Sequence, residues 1–228
     1  MTVRHRDALY LGLFMALFLV VWTFRATSLY GIDEAITSPV LRGCYSNLMK
    51  LLIWVLPAAA FVRWLKGLKP TKYWAFSTLP SRDQWQPCLF VTAGFLLVTA
   101  AVELSVGGKS FSFAYIASKS FIVGSLSSIV SSLLEEILFR GFVLKELLSL
   151  IPMAVANVLT SLLFVAVHIP YWLSHGGLTR ATVANFAGIF LFSLLAGWLF
   201  TKSRSIWPPT LAHIGNNILS LGLMARTA

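Results

Sequence analysis

Acidic residues are scarce in this chain: eight Asp and Glu stand among 228 residues, and charged side chains of either sign make up only 11%. A water-soluble domain of this length needs far more polar surface than that. Cysteine is almost absent. Cys44 and Cys88 open two different apolar blocks and fit no metal-ligand spacing, which leaves them as small buried residues. The three aspartates, Asp7, Asp33 and Asp83, all lie outside the apolar blocks, so aspartyl chemistry has no buried pair to use. There is no Gly-x-Ser-Gly for a serine nucleophile in the membrane, and no His-Glu-x-x-His for a zinc protease. Internal repeats, low-complexity stretches and long linkers are missing too, so one membrane-embedded domain over residues 1–228 is expected.

What the chain does have is apolar residue in long blocks. Hydrophobic residues make up 57% and the mean hydropathy is +0.80. A spanning helix needs about 20 mainly apolar residues. Blocks near residues 8–24, 48–64, 89–106, 121–150, 152–170 and 183–200 fit, and a seventh helix follows Pro208 and Pro209 and ends near residue 223. The expectation is an all-α fold: a polytopic transmembrane helical bundle of about seven spans. The N-terminus has Arg4 and Arg6 before an apolar run and reads as an uncleaved first span.

The net charge of +10 does not imply nucleic acid, because there is no soluble basic face to carry it. Basic residues in membrane proteins gather in loops through topology and anionic lipid. Arg4 and Arg6, the loop from Arg63 to Arg82, Lys145, and Lys202 with Arg204 fall on one side of the bundle. The positive-inside rule makes that side, with the N-terminus, cytoplasmic. The loop's Tyr73, Trp74, Phe76 and Trp85 suit an interfacial segment.

Against this apolar background, three segments carry polar groups that are expensive in a membrane. The first holds adjacent Glu135 and Glu136, with Arg140 four residues further on. Glu136 and Arg140 share a helical face, whereas Glu135 points about 100° away from Glu136. Glu135 can then face a cavity as a proton acceptor; a structural ion cluster is the alternative. The second segment places Phe164 and His168 on one face. A histidine can share a proton with a glutamate and activate water, or simply pack with its hydrogen bonds met. The third places His213 and Asn217 on one face, with Asn216 off it. Their N–H groups suit a developing oxyanion, or interhelical hydrogen bonding. His5 and His175 read as tail and loop residues.

These three segments together resemble the CPBP family, which comprises CAAX prenyl proteases of the Rce type and bacteriocin-processing (Abi) proteins. Its Glu-Glu-x-x-x-Arg, Phe-x-x-x-His and His-x-x-x-Asn motifs stand here, in order, as Glu135-Glu136…Arg140, Phe164…His168 and His213…Asn217. The resemblance covers residues 111–228; residues 1–110 match only as generic membrane helices. It implies an intramembrane glutamic endopeptidase in a multi-pass protein of a bacterial plasma membrane. Glu135 and His168 would prepare the water, His213 and Asn217 would bind the oxyanion, and Glu136, Arg140 and Phe164 would support the site. The substrate implied is a lipidated or membrane-anchored protein or peptide, cut in a tail or leader.

Other readings stay open. No cofactor is needed by water chemistry, but zinc held by Glu135, His168 and His213 is possible on ligand inventory alone. A proton-coupled transporter uses similar buried groups, although no inverted repeat is present. A non-catalytic scaffold or immunity protein could share the same bundle. One geometric demand is explicit: His168 lies about 24 Å along a regular helix from Pro152, but His213 only about 7 Å beyond Pro208–Pro209. For the two to meet, one helix must tilt or start deep.

Overall fold

The computed structural model describes residues 3–105, 107–174, 177 and 179–225. Val106 at the end of the third expected span, and His175, lie outside the described residues. Among the described residues, six helices are long and apolar enough to cross a membrane: α1 (from within Val3–Ser28), α3 (Pro39–Leu65), α5 (Arg82–Ser105), α7 (Lys119–Leu148), the pair α8 (Met153–Ala166) and α9 (Ile169–Ser174), and α10 (Arg180–Ser203). A seventh, α11 (Trp207–Gly222), has 16 residues and is shorter than a full crossing. Short helices α2 (Tyr30–Ala35), α4 (Pro70–Tyr73) and α6 (Phe113–Ile116) sit in the connections. A two-stranded antiparallel ladder, β1 (Lys109–Phe111) with β2 (Leu223–Ala225), closes one end.

The helix ends follow local chemistry. The Ser118 hydroxyl caps α7 by accepting from the Phe121 amide at 3.2 Å. Thr179 and Thr182 form a reciprocal capping box at the start of α10. Pro208 and Pro209 occupy the first turn of α11, where a missing N–H costs nothing. Two long helices contain wider π-helical turns. Leu51–Val55 follows Lys50 in α3, and Ile137–Leu144 follows Glu136 in α7. Such turns are uncommon and concentrate at functional sites.

Contacts across the ends assign the two faces of the bundle. Lys66, just past α3, pairs with Asp7 at the start of α1 and with Glu146 at the end of α7. The Trp207 indole, at the start of α11, donates to the Phe76 carbonyl at 2.9 Å. These ends therefore share one face, which is also the face of the basic loop. At the opposite face, Arg25 pairs with Asp33 at 2.6 Å, and Ser174 reaches the Ala26 carbonyl at 3.4 Å.

Part of the basic loop folds into the bundle. Trp74 is buried and packs against Gly141, where a Cβ would approach its ring carbon to 3.1 Å. The Tyr73 hydroxyl bonds to Glu146, and Lys145 donates to the Tyr73 carbonyl. Burial, aided by the Glu146 carboxylate, pushes the Tyr73 hydroxyl above its ordinary range. Of the cysteines, Cys88 is buried, whereas Cys44 is exposed on the outer surface of α3.

An aromatic chain runs through the centre. Trp54 of α3 meets Phe18 and Trp22 of α1 at centroid distances of 5.7 and 4.7 Å, and Phe139 of α7 at 5.7 Å. Phe139 meets Phe164 of α8 at 4.8 Å, Phe164 meets Phe192 of α10 at 6.5 Å, and Phe192 meets His213 of α11 at 4.9 Å. Lipid tails are as apolar as side chains, so burial alone does not hold membrane helices together. Directional ring pairs, each about 0.5–1.5 kcal/mol beyond area, add specificity to that packing.

Candidate active site

The depth problem is solved by a sunken helix start. Ser203, Ser205 and Ile206 between α10 and α11 are all buried, with Arg204 in the left-handed region at φ 54°. Ile206 clusters with Leu144, Ala156 and Phe200, so α11 begins about a turn inside the bundle. His213 consequently reaches the level of Phe164, their rings 5.8 Å apart. At the other side of the gap, α8 ends at Ala166 and the chain turns before α9. The Trp22 indole donates to the Val167 carbonyl at 2.8 Å and pins this break. The His168 ring folds back on Phe164, centroid to centroid 5.0 Å.

Glu136 and Arg140 form the fully buried pair expected from their spacing, at 2.9 Å. Arg140 also donates to the Ser193 hydroxyl at 2.8 Å and the Ser193 carbonyl at 3.0 Å, and stacks over the Phe164 ring at 4.8 Å. The guanidinium thus joins α7, α8 and α10. The same Glu136 oxygen accepts from His213 Nδ1 at 2.8 Å. His213 Nε2 then faces Glu135 Oε2 at 3.7 Å. On the other histidine, Nδ1 donates to the Phe164 carbonyl at 2.6 Å, since a carbonyl can only accept. This leaves His168 Nε2 as the acceptor. His168 lines one cavity together with Glu135 and another together with His213.

Lys50 of α3 completes the centre. Its ammonium lies 2.5 Å from Glu135 Oε1 and 2.5 Å from the Ser131 hydroxyl, and 5.4 Å from the centroid of the Trp54 ring. Ser131 also donates to Glu135 Oε1 at 3.0 Å. Oε1 is therefore clamped, and Oε2 is the carboxylate atom turned toward His213. Asn217 donates to the Ser132 hydroxyl at 3.0 Å, which leaves its second amide N–H.

Two cavities meet at His168. One, about 770 Å³, runs from Arg25, Asp33 and Arg42 at its mouth to Lys50, Glu135 and His168 at its floor. The other, about 360 Å³, lies beneath α5 and is lined by Phe95, Trp172, His168, His213, Asn216 and Asn217. Glu135 and His213, in contact with each other, line one cavity each; His168 lines both. Asn216, off the His213–Asn217 face by spacing, nevertheless reaches the second cavity.

Among the described residues, no group of three or more His, Cys, Asp and Glu side chains is arranged to hold a metal ion. The Lys50 ammonium lies against Glu135 Oε1 at 2.5 Å.

Sequence reasoning missed Lys50, Ser131, Ser132 and Ser193. Lys50 carried only an ambiguous signal: an ionisable residue in an apolar helix can mark function, but one this near the helix start can equally extend to the interface. The serines carried none, because a serine in a membrane helix can satisfy itself on its own backbone.

Fold and site together define a polytopic helical membrane protein with a buried carboxylate–histidine centre reached by cavities from outside the bundle. Residues 117–219 match the family described as type II CAAX prenyl endopeptidase Rce1-like. The match covers a little under half of the chain, and the family it describes is one of proteases, that is, hydrolases. Neither the curated proteins nor the solved structures contain a match to the chain. The matched segment contains Glu135, Glu136, Arg140, Phe164, His168, His213 and Asn217 but stops short of Lys50.

Proposed function

We propose that Glu135 and His168 activate a water that cuts a peptide bond of a lipidated or membrane-anchored protein, with His213 and Asn217 receiving the oxyanion. The observation that carries this reading is the meeting of Glu135 Oε2 and His213 Nε2, at 3.7 Å, beside His168 at the junction of two cavities. Water enters between Glu135 Oε2 and His168 Nε2, both free to accept. Glu135 takes a proton as the water oxygen bonds to the scissile carbonyl carbon. The carbonyl oxygen becomes an oxyanion within reach of the free Asn217 N–H. His213 can donate to it through Nε2 only when its ring carries both protons, because Nδ1–H is committed to Glu136. Glu136 is then the counterion of that imidazolium, and Arg140 holds Glu136 in place. Collapse of the tetrahedral intermediate breaks the C–N bond, and the proton held by Glu135 passes to the departing amine. No acyl-enzyme forms.

The scheme routes no step through a metal, and the Lys50 ammonium orients Glu135 through Oε1. The orientation that fits the loop charges places the N-terminus and the basic loop in the cytoplasm. The test is Glu135→Gln, which keeps the size of the side chain and removes the base. Membrane proteomes of cells carrying wild type and Glu135→Gln should differ in peptide termini. Identical termini would leave a scaffold as the better account, and a loss of ion-driven uptake instead would favour a transporter.

A further inference from the structure

Resting on that function, we propose that the catalytic cavity opens on the extracytoplasmic side, so that the substrate is a membrane-anchored chain whose cleavage site is presented from outside the cytoplasm. Two independent observations combine here. The first is the distribution of Lys and Arg. Arg4 and Arg6, the loop from Arg63 to Arg82, Lys145, Lys202 and Arg204 all fall on the face marked by the Asp7–Lys66–Glu146 contacts. The opposite connections carry fewer, and one of these, Arg25, is tied to Asp33. Basic residues in short loops fix the cytoplasmic side, and acids count for little in that rule.

The second observation is the direction of the larger cavity. Its lining includes Arg25, Asp33, Glu34, Thr37 and Arg42, from the end of α1, α2, the connection after it and the start of α3, and the exposed Glu34, Thr37 and Arg42 put its mouth there. That is the face opposite the basic one. From there the cavity descends past Ser127 and Ser128 to Lys50, Glu135 and His168. The way toward the basic face is closed below the site by fully buried Phe139, Phe142, Val143 and Leu144, and further by Trp74 and the Lys66–Glu146 pair. Water and peptide thus reach Glu135 from the less basic side. A tail exposed in the cytoplasm would meet the closed end of the bundle.

The test reads accessibility, not activity. Thr37→Cys is placed at the cavity mouth and Lys69→Cys on the basic loop, each in a Cys44→Ser background that keeps the buried Cys88. Thr37 and Lys69 are both exposed. Intact cells, or spheroplasts where an outer membrane is present, are treated with a membrane-impermeant maleimide, and a matched sample is permeabilised first. Thr37→Cys should label equally in both samples, and Lys69→Cys only after permeabilisation. Labelling of Lys69→Cys in intact cells, or failure of Thr37→Cys to label until permeabilised, overturns the proposal. The same pattern is expected with Glu135→Gln added, so the result stands or falls apart from the hydrolase reading. In wild-type against Glu135→Gln membrane proteomes, changed termini should map to extracytoplasmic flanks of membrane anchors. Changed termini confined to cytoplasmic tails contradict the substrate class, whereas no changed termini at all overturns the hydrolase reading and leaves the labelling to decide orientation.

Discussion

Replacing Lys50 with Met removes the cation beside Glu135 and keeps the apolar stem. At 2.5 Å and an effective dielectric near 20, the gross attraction between these charges is about 7 kcal/mol. Most of that is offset by the desolvation both charges suffer. Removing one partner of a buried pair typically costs about 3–5 kcal/mol. The Lys50 side chain is 15% exposed and opens on a cavity, so the lower end, about 3 kcal/mol, is expected. Activity should fall further than stability explains. The lost charge-assisted hydrogen bond also orients the base, and at about 1.5–3 kcal/mol it corresponds to roughly 10- to 150-fold in kcat. Thermal unfolding in detergent gives the first quantity and turnover on an identified substrate the second. Lys50→Arg should retain most of both. The double variant Lys50→Met/Glu135→Gln removes both charges and should unfold at a higher temperature than Lys50→Met alone. If Lys50→Met unfolds like the wild type and the double variant is merely additive, the clamp at Oε1 is not an energetic feature of the site.

Other expectations can be checked with the same assays. Arg140→Met strands the fully buried Glu136 carboxylate and breaks the link to Ser193, so it should cost about 3–5 kcal/mol and abolish activity. Gly197→Ala would put a Cβ 1.8 Å from Asn157 Oδ1, forcing Asn157 off its 2.9 Å bond to the Leu194 carbonyl. A loss of about 1–3 kcal/mol is expected, largely recovered in Gly197→Ala/Asn157→Ala; no recovery would mean that the backbone itself has shifted. Tyr73→Phe should lower stability by about 1 kcal/mol, through its bond to Glu146, without changing kcat. Activity should survive prolonged chelation, and activity that vanishes with chelator and returns with zinc would replace the lysine-assisted scheme by a metal one.

Much of this architecture can be read from the chain because membrane physics is strict. Length and hydropathy locate the helices. Glu136 and Arg140, Phe164 and His168, and His213 and Asn217 each sit four residues apart, and helical geometry puts each pair on one face. What spacing cannot give is depth between helices. The sunken start of α11 depends on Ile206 fitting among Leu144, Ala156 and Phe200, and this is a packing fact with no periodic signature. The inward fold of Trp74 is of the same kind, for an aromatic beside lysines reads equally well as an interfacial anchor. Lys50 was hidden for a different reason. It lies two residues into the expected second span, where a lysine ordinarily extends its amine to the interface. Only its proximity to Ser131 and Glu135, more than 80 residues away in sequence, gives it a role.

The account is tested most directly by following hydrolysis itself. Purified wild-type and Glu135→Gln proteins, matched for thermal unfolding, are reconstituted into vesicles with membrane proteins from cells lacking the enzyme. The reaction is run in water enriched in oxygen-18. Wild type should generate new peptide C-termini carrying one oxygen-18, next to a membrane anchor or lipidated residue, and Glu135→Gln should reduce them by roughly 100-fold or more. Equal yields from the two proteins, or no labelled termini from the wild type, would contradict a water-activating role for Glu135.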